Sequence, residues 1–521
     1  MTLKATLFNA ILAKTFLLSI VLLASLEVGW AQVSLKGLAL PHGKYQVGFQ
    51  HYVTHDSTRT YQRIYDLTHK KIARPIHVSI WYPAQNNVAT TKRLRVIDYM
   101  QIYKEEKEWE HLPNANILGW FQYENTEVNR QHLQVTTQAY LNAPKAGEGF
   151  PAIVYAPGLE YSSIENFALN EFLASHGYVV IASPSRGSYH QFMERGKVRN
   201  IDAQARDISF LIQEMNKYSQ IDQTKIATMG YSFGGLSNVL AQMRDARIKA
   251  IVSLDGSVRY NYKFLMQSPF ADMAKVNVPF IHMAQQIIPD AVLKADKIDP
   301  ALNTEFKFFD LLQYSKAYKL RFHHLSHAHF ITLGVLFQKR DLRKDKSDLE
   351  IMTSYRWLAT YALQFLNAFI KNDPQAKRFM ANMPAQNGIP AGLISKTVKD
   401  PKPRPFGFRD FNELAAQRDY KNLSELYASC QKKYPKLQFG EIYFNKLGLQ
   451  LGFNRATSQQ GIRVMEFAAQ LYPKSANVFD SLGELYFFMK NKQKAIQNFE
   501  KSLQLYKQND HAIRRLKELR R

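Results

Sequence analysis

Near the middle of the chain, Gly230-Tyr231-Ser232-Phe233-Gly234 sets a serine between two glycines. A serine hydroxyl is a poor nucleophile until a base takes its proton. The Gly-x-Ser-x-Gly spacing suits a tight turn from strand to helix, which holds the hydroxyl at the edge of a sheet. The context fits: the apolar run Ile226-Ala227-Thr228-Met229 leads into the motif, and a helical stretch follows from about Leu236 to Arg244. In that order of elements an acid follows the serine and a histidine follows the acid. Asp255 stands at the end of the next predicted strand, Ile248–Leu254. Asp-Gly is also a common turn pair, and Asp290, after the following strand, is the alternative acid. The base must come from Phe322-His323-His324-Leu325-Ser326-His327-Ala328-His329-Phe330. Four histidines so close together could also hold a metal. No His-Glu-x-x-His is present, and no nearby carboxylate has ligand spacing. An acyl-transfer oxyanion needs two backbone N–H donors. Phe233, just after the serine, supplies one, and Leu159 in Pro157-Gly158-Leu159-Glu160 is the candidate for the other.

Positioning these residues takes a sheet whose strands end on one edge. Residues 38–372 alternate short β-rich runs with amphipathic helical stretches, the pattern of a parallel sheet with crossover helices. Two early antiparallel strands (45–48 and 76–82) precede a buried strand over 151–155, a helix over 163–175 and a strand over 177–182. A helix over 201–215, further strands near 278–283 and 318–322, and a closing helix over 354–371 complete the order of an α/β hydrolase. Residues 91–145 show no clean period and read as an insertion over the sheet edge, a candidate lid. Six prolines within 373–405 mark that stretch as a linker.

With these pieces in place, the chain resembles the platelet-activating-factor acetylhydrolase family of α/β hydrolases, with dienelactone hydrolases more distant. The matching residues are Gly48 in Tyr-x-Val-Gly, Ile80-Trp81-Tyr82-Pro83, Pro157-Gly158-Leu159, Leu173-Ala174-Ser175-His176-Gly177-Tyr178, Gly230 to Gly235, Leu254-Asp255 and His327-x-x-Phe330. The resemblance covers about residues 40–370. It implies Ser232 as nucleophile, Asp255 as acid and His327 as base, with the N–H groups of Leu159 and Phe233 as the oxyanion hole. The family's His-x-x-Phe spacing selects His327 over His329. It implies ester hydrolysis through an acyl-enzyme, on short-acyl or phospholipid-type esters, with no metal and no cofactor. The chain departs from the family at Ala156-Pro157-Gly158, where a His usually precedes the Gly, and in the 91–145 insertion.

Residues 406–521 are helical and repeat. Asn445-Lys446-Leu447-Gly448 returns as Asp480-Ser481-Leu482-Gly483, and Tyr434-Pro435-Lys436 as Tyr472-Pro473-Lys474. With Tyr486, Ala495 and Phe499 the second copy resembles a tetratricopeptide repeat. Such arrays commonly bind peptides, so a protein partner is one expectation and packing on the hydrolase another. A catalytically silent hydrolase fold that binds through these helices is the alternative to an enzyme.

Composition bounds the rest. A chain of 521 residues with 46% hydrophobic and 13% aromatic content is not disordered. One cysteine, Cys430, excludes a disulfide framework and a Cys-based zinc cluster. A net charge of +24 invites a nucleic-acid reading. The N-terminus argues against it: Lys4 and Lys14, then the apolar core 16–26 (FLLSIVLLASL), then Gly29-Trp30-Ala31 read as a secretory signal over 1–31. Its apolar core is too short to span a bilayer, although an uncleaved anchor is the competing reading. Export to the periplasm or medium removes the chain from nucleic acid. Residues 401–521 hold 22 Lys+Arg against 11 Asp+Glu, so the surplus on these helices points to an anionic membrane or polymer as counter-surface.

Overall fold

The computed structural model describes residues 32–88, 91–194, 196–339 and 346–520, so the signal reading of 1–31 lies outside the described residues. The chain divides into two units, Met1–Lys402 and Pro403–Arg521.

The first unit is built on an 11-stranded sheet among the described residues, in the order β11-β10-β9-β8-β7-β5-β6-β2-β1-β4-β3. The strands are β1 (Gln46–Gln62), β2 (Lys71–Ala84), β3 (Arg93–Arg95), β4 (Thr136–Leu141), β5 (Phe150–Ala156), β6 (Val179–Ala182), β7 (Ile221–Tyr231), β8 (Ile248–Leu254), β9 (Phe280–Ala284), β10 (Ala317–Phe322) and β11 (Ile394–Lys399). β6, β5, β7, β8, β9 and β10 run parallel, with antiparallel neighbours at both ends of that block. Alternate residues of one strand face opposite sides. Ile153 and Tyr155 of β5 therefore pack with the Phe167–Ser175 and Asp348–Phe369 helices, while Ala152 and Val154 pack with the Val198–Glu214 and Phe233–Arg244 helices. This doubly covered parallel sheet is an α/β-hydrolase fold, followed by a helical region.

Three segments differ from expectation. The opening hairpin is much longer, because β1 and β2 stay paired from Gln46↔Ala84 to Gln62↔Lys71. The 91–145 segment does more than cover an edge: β4 and β3 extend the sheet beyond β1. Its Val96–Glu106 helix buries Val96, Tyr99, Met100 and Tyr103, an apolar stripe that the surrounding charges conceal in the sequence. Tyr99 stacks on Phe167 at 4.8 Å. Residues 373–405 are not a free linker. Pro374 and Pro384 open short helical turns, and β11 pairs antiparallel with β10 from Ala317↔Lys399 to Phe322↔Ile394. A proline at the first position of a turn loses no hydrogen bond, and no proline lies inside β11.

The second unit holds seven helices among its described residues: Phe408–Ala416, Leu423–Lys433, Glu441–Gly452, Ser458–Leu471, Ala476–Phe488, Lys492–Leu505 and Asp510–Leu519. Consecutive helices pack as hairpins. Between the third and fourth the backbones nearly touch, for a Cβ on Gly461 would lie 2.3 Å from the backbone N of Gly452. Leu482, Gly483 and Tyr486 fall on the fifth helix and Ala495 and Phe499 on the sixth, with Gly483 against the Phe499 ring. Phe411, Tyr427, Phe439, Phe444 and Phe467 form the aromatic core, and Cys430 is buried as a free thiol.

Candidate active site

β7 ends at Tyr231 and the Phe233–Arg244 helix starts two residues later, which leaves Ser232 at the turn with φ 50 and ψ −116. A non-glycine residue held there costs about 1–3 kcal/mol, sustained by the surrounding packing. Two backbone bonds hold the turn: Ser232 N–H donates to Leu254 O at 3.1 Å, and Ser257 N–H donates to Ser232 O at 2.7 Å. The helix can approach only because residue 234 is glycine; a Cβ there would lie 1.9 Å from the carbonyl oxygen of Ala156.

Asp255 follows β8 and is fully buried. His327 opens the 3-10 turn His327–Phe330 beyond β10. The structure brings these two side chains to Ser232. His327 Nε2 lies 3.0 Å from Ser232 Oγ, and His327 Nδ1 lies 2.6 Å from Asp255 Oδ2. With Nδ1 protonated, His327 donates to the carboxylate and accepts from the serine hydroxyl. Burial alone would push the Asp255 carboxyl up, but its hydrogen bond to His327 and the nearby positive groups hold it below the usual carboxylate range. The His327 ring packs tilted on Tyr231, centroids 4.9 Å apart.

The other candidates lie apart. Asp290 begins the Asp290–Asp296 helix and is exposed. His323 Nε2 is 3.2 Å from Ser395 Oγ, His324 is 3.9 Å from Glu350, and buried His329 has Nδ1 3.1 Å from Ser326 Oγ. The four histidines thus face different partners.

The loop after β5 carries the oxyanion candidates. Glu165 Oε1 accepts from Tyr155 OH at 2.7 Å and from Gly158 N–H at 3.0 Å. Leu159 follows, half out in solvent, and the Phe233 N–H belongs to the first helical turn, which has no carbonyl partner within its own helix. The loop continues in Ser162 and Ser163, whose hydroxyls both donate to the Glu106 carboxylate. Lys107 donates to Glu160 O. Burial pushes the Glu165 carboxyl up to about 8 and the Glu106 carboxyl up to about 7, the latter against the pull of the two serines and Arg186.

Sequence reasoning missed Gln285. Its N–H donates to Asp255 Oδ1 at 3.1 Å, and its Oε1 accepts from His327 N–H at 3.1 Å, so one residue after β9 ties acid to base. It also missed Glu165 and Glu106. No motif flags them; Glu165 is one of two glutamates, with Glu171, in the stretch 164–174, and nothing there singles it out. A cavity of about 680 Å³ opens beside His327, with Ile288, Val292 and Leu302 on its apolar side and Tyr260 and Gln286 on its polar side.

Sheet order and nucleophile turn define an α/β hydrolase. Comparison with known proteins agrees with that class: the Prolyl oligopeptidase family matches residues 166–276. The platelet-activating factor acetylhydrolase of Canis lupus familiaris is 28% identical over an alignment covering 23% of this chain and 38% of that protein, so the chain spans well under half of its relative's length. A ferulic acid esterase from Streptomyces cinnamoneus superposes on 70% of this chain and 99% of its own, at 18% identity and a TM-score of 0.45. The chain is similar to hydrolases of the acetylhydrolase and dienelactone-hydrolase type.

Proposed function

We propose that the protein is an exported serine hydrolase that cleaves carboxylic esters, short-acyl or phospholipid-type, through Ser232, His327 and Asp255. One observation carries the reading: the relay from Ser232 Oγ to His327 (3.0 Å) to buried Asp255 (2.6 Å) at the mouth of a half-apolar cavity. His327 takes the serine proton as Oγ attacks the ester carbonyl carbon. The tetrahedral oxyanion accepts from Leu159 and Phe233 N–H. His327 then protonates the leaving alcohol, which departs and leaves an ester on Ser232. A water, deprotonated by His327, attacks that ester and frees the acid. Asp255 stays ionised, orients the imidazole and stabilises its charged form. The cavity takes one arm of the ester, its apolar side suiting an acyl chain.

A panel of chromogenic esters of increasing acyl length, on wild type and Ser232→Ala, tests this. Hydrolysis should fall by roughly 10⁴-fold or more in the variant while the fold survives. Full activity in Ser232→Ala sinks the assignment. Anilides of the same acyl groups, run alongside, separate ester from amide cleavage.

Export rests on the 1–31 pattern; an N-terminus other than Gln32 on protein recovered outside the cytoplasm counts against cleavage there. The basic helices would hold the enzyme at an anionic surface or seat a protein partner through their tetratricopeptide-like pattern. Binding to anionic vesicles should weaken as salt rises, and salt-independent binding contradicts the electrostatic part.

A further inference from the structure

Across the 302–304 segment from the cavity beside His327 lies a second, smaller hollow of about 170 Å³. Lys319 and Arg321 sit two residues apart on β10 and so project from one face of the sheet. Register sets Thr397 of β11 beside Lys319 and Ser395 beside Arg321, so their hydroxyls join the same hollow. Arg259, from the Val258–Leu265 helix, enters from the other side and is 3% exposed.

These cations feel Asp255 and Asp310 at a distance but, among the described residues, have no carboxylate in direct contact. Arg259 Nη2 donates to the carbonyls of Leu302 and Asn303. Arg321 donates to Gln285 O at 3.2 Å and to Asn303 O at 2.6 Å. All three acceptors, with Asn303 O shared by both arginines, are uncharged carbonyl groups. Among the described residues, none of the three cations pairs with a carboxylate within 4.0 Å. Arg259 Nη1 is buried with no hydrogen-bond partner, while the guanidinium carbon lies 5.3 Å from the centroid of the Tyr260 ring. Burial, joined by repulsion among the three, holds Lys319 and Arg321 below their ordinary values, with Asp310 pulling Lys319 and Tyr260 and Asp255 pulling Arg321 the other way. A buried guanidinium N–H without an acceptor carries its full desolvation cost, which a bound anion would offset. Ser395 and Thr397 are exposed, so the hollow opens to solvent at the β11 edge with its charge at the floor.

We propose that this hollow binds a compact tetrahedral oxyanion, phosphate or sulfate in kind, either free or as the terminal group of a larger molecule. Arg259 Nη1, Lys319 Nζ and Arg321 supply the charge, and the Thr397 hydroxyl adds a neutral donor. The site is separate from the ester cavity but shares a wall with it, because Asn303 both receives Arg259 and Arg321 and clasps Ile288 through its side chain, at 2.9 Å to Ile288 N and 2.9 Å to Ile288 O.

The test is calorimetric titration of the full chain with inorganic phosphate, sulfate and glycerol 3-phosphate, with sodium chloride holding ionic strength constant. Wild type should show saturable one-to-one binding of phosphate or sulfate. Lys319→Gln should weaken it about tenfold or more, the loss of one charge-assisted contact. Thr397→Val, at an exposed strand position, should weaken it by a smaller factor with the fold kept. Binding of glycerol 3-phosphate that both variants weaken supports the site and marks a phosphomonoester as its source; binding of the inorganic ions alone, equally sensitive, supports it and marks the free ion. Phosphate and sulfate heats no greater than those of chloride overturn the proposal. So does binding that both variants leave unchanged, which would assign it to the basic helices.

Discussion

The two halves of the candidate site are held by different means. Ser232, Asp255 and His327 stand at or just beyond the ends of strands β7, β8 and β10, and main-chain bonds between neighbouring strand ends fix two of them: Ser232 N–H to Leu254 O and Asp255 N–H to Met283 O. The candidate oxyanion loop, 157–165, is held by side chains instead: Glu165 clasps Tyr155 and Gly158, and Glu106, from a segment far away in sequence, clasps Ser162 and Ser163. The relay side inherits its geometry from the sheet. The loop side has to be assembled from buried carboxyl groups, and it carries their desolvation cost.

The contrast predicts how each half breaks. Asp255→Asn removes the anion that orients His327 while leaving the strand ends paired, so kcat should fall about 10⁴-fold with only a modest loss of Tm. A Tm collapse in that variant would mean that the acid belongs to the scaffold rather than to the relay.

Gly234→Ala strikes where the halves meet. The new Cβ would sit 1.9 Å from Ala156 O and 2.7 Å from Pro157 O, so the helix behind Ser232 and the oxyanion loop cannot both keep their places. Overpacking of this kind costs about 1–3 kcal/mol or more. Denaturant unfolding should show that loss together with a large fall in kcat. A variant that keeps either wild-type stability or wild-type kcat separates the two halves.

On the loop side alone, Glu165→Ala should lower kcat roughly 10- to 100-fold with KM little moved, because only the transition-state oxyanion feels the loop. Glu165→Gln keeps an acceptor oxygen and should recover most of that loss; equal losses in both variants would contradict a positioning role. The same residue gives a pH signature. Glu165 (about 8) and the similarly buried Glu106 and Glu171 (each about 7) are raised from an ordinary 4.5 by burial. The folded state therefore holds protons that the unfolded chain has released, and their contribution to stability drops as pH rises from about 4.5 to 8. Asp255 and Asp207 are lowered, so their contribution disappears as pH falls below the ordinary 3.8. Burial holds His51 (about 4), His77 and His282 (about 3) neutral, and their contribution grows as pH rises to the ordinary 6.5. Scanning calorimetry should therefore find Tm falling between about pH 6.5 and 8, and Glu165→Gln should flatten that fall. A Tm that climbs over that range contradicts protonated carboxyls in the folded protein.

The relay positions could be found in the sequence for a local reason. An apolar strand that runs into Gly-x-Ser-x-Gly, and another that ends at Asp255, announce the sheet edge within a few residues. The insertion was harder to read, because Val96, Tyr99, Met100 and Tyr103 make their stripe amid Lys104, Glu105, Glu106 and Lys107. The proline-rich stretch misled for the opposite reason: prolines at turn starts look like breakers, although β11 lies between them. Gln285 carries no pattern at all; its role exists only where β9 ends beside β8.

By itself, then, the sequence determined the order of strands and helices from β5 to β10, the serine turn, and the acid and histidine segments that follow it, since each depends on neighbours a few residues away. Tertiary structure alone decided how His327, picked by its His-x-x-Phe spacing, reaches Ser232 and Asp255, that Gln285 bridges acid and base, that Glu165 and Glu106 hold the 157–165 loop, and that Arg259, Lys319 and Arg321 converge. Most of those pairings join residues tens of positions apart, up to 95 between Ser232 and His327. Only the packed sheet brings such residues within hydrogen-bond range, and only burial makes their charges costly enough to require a partner.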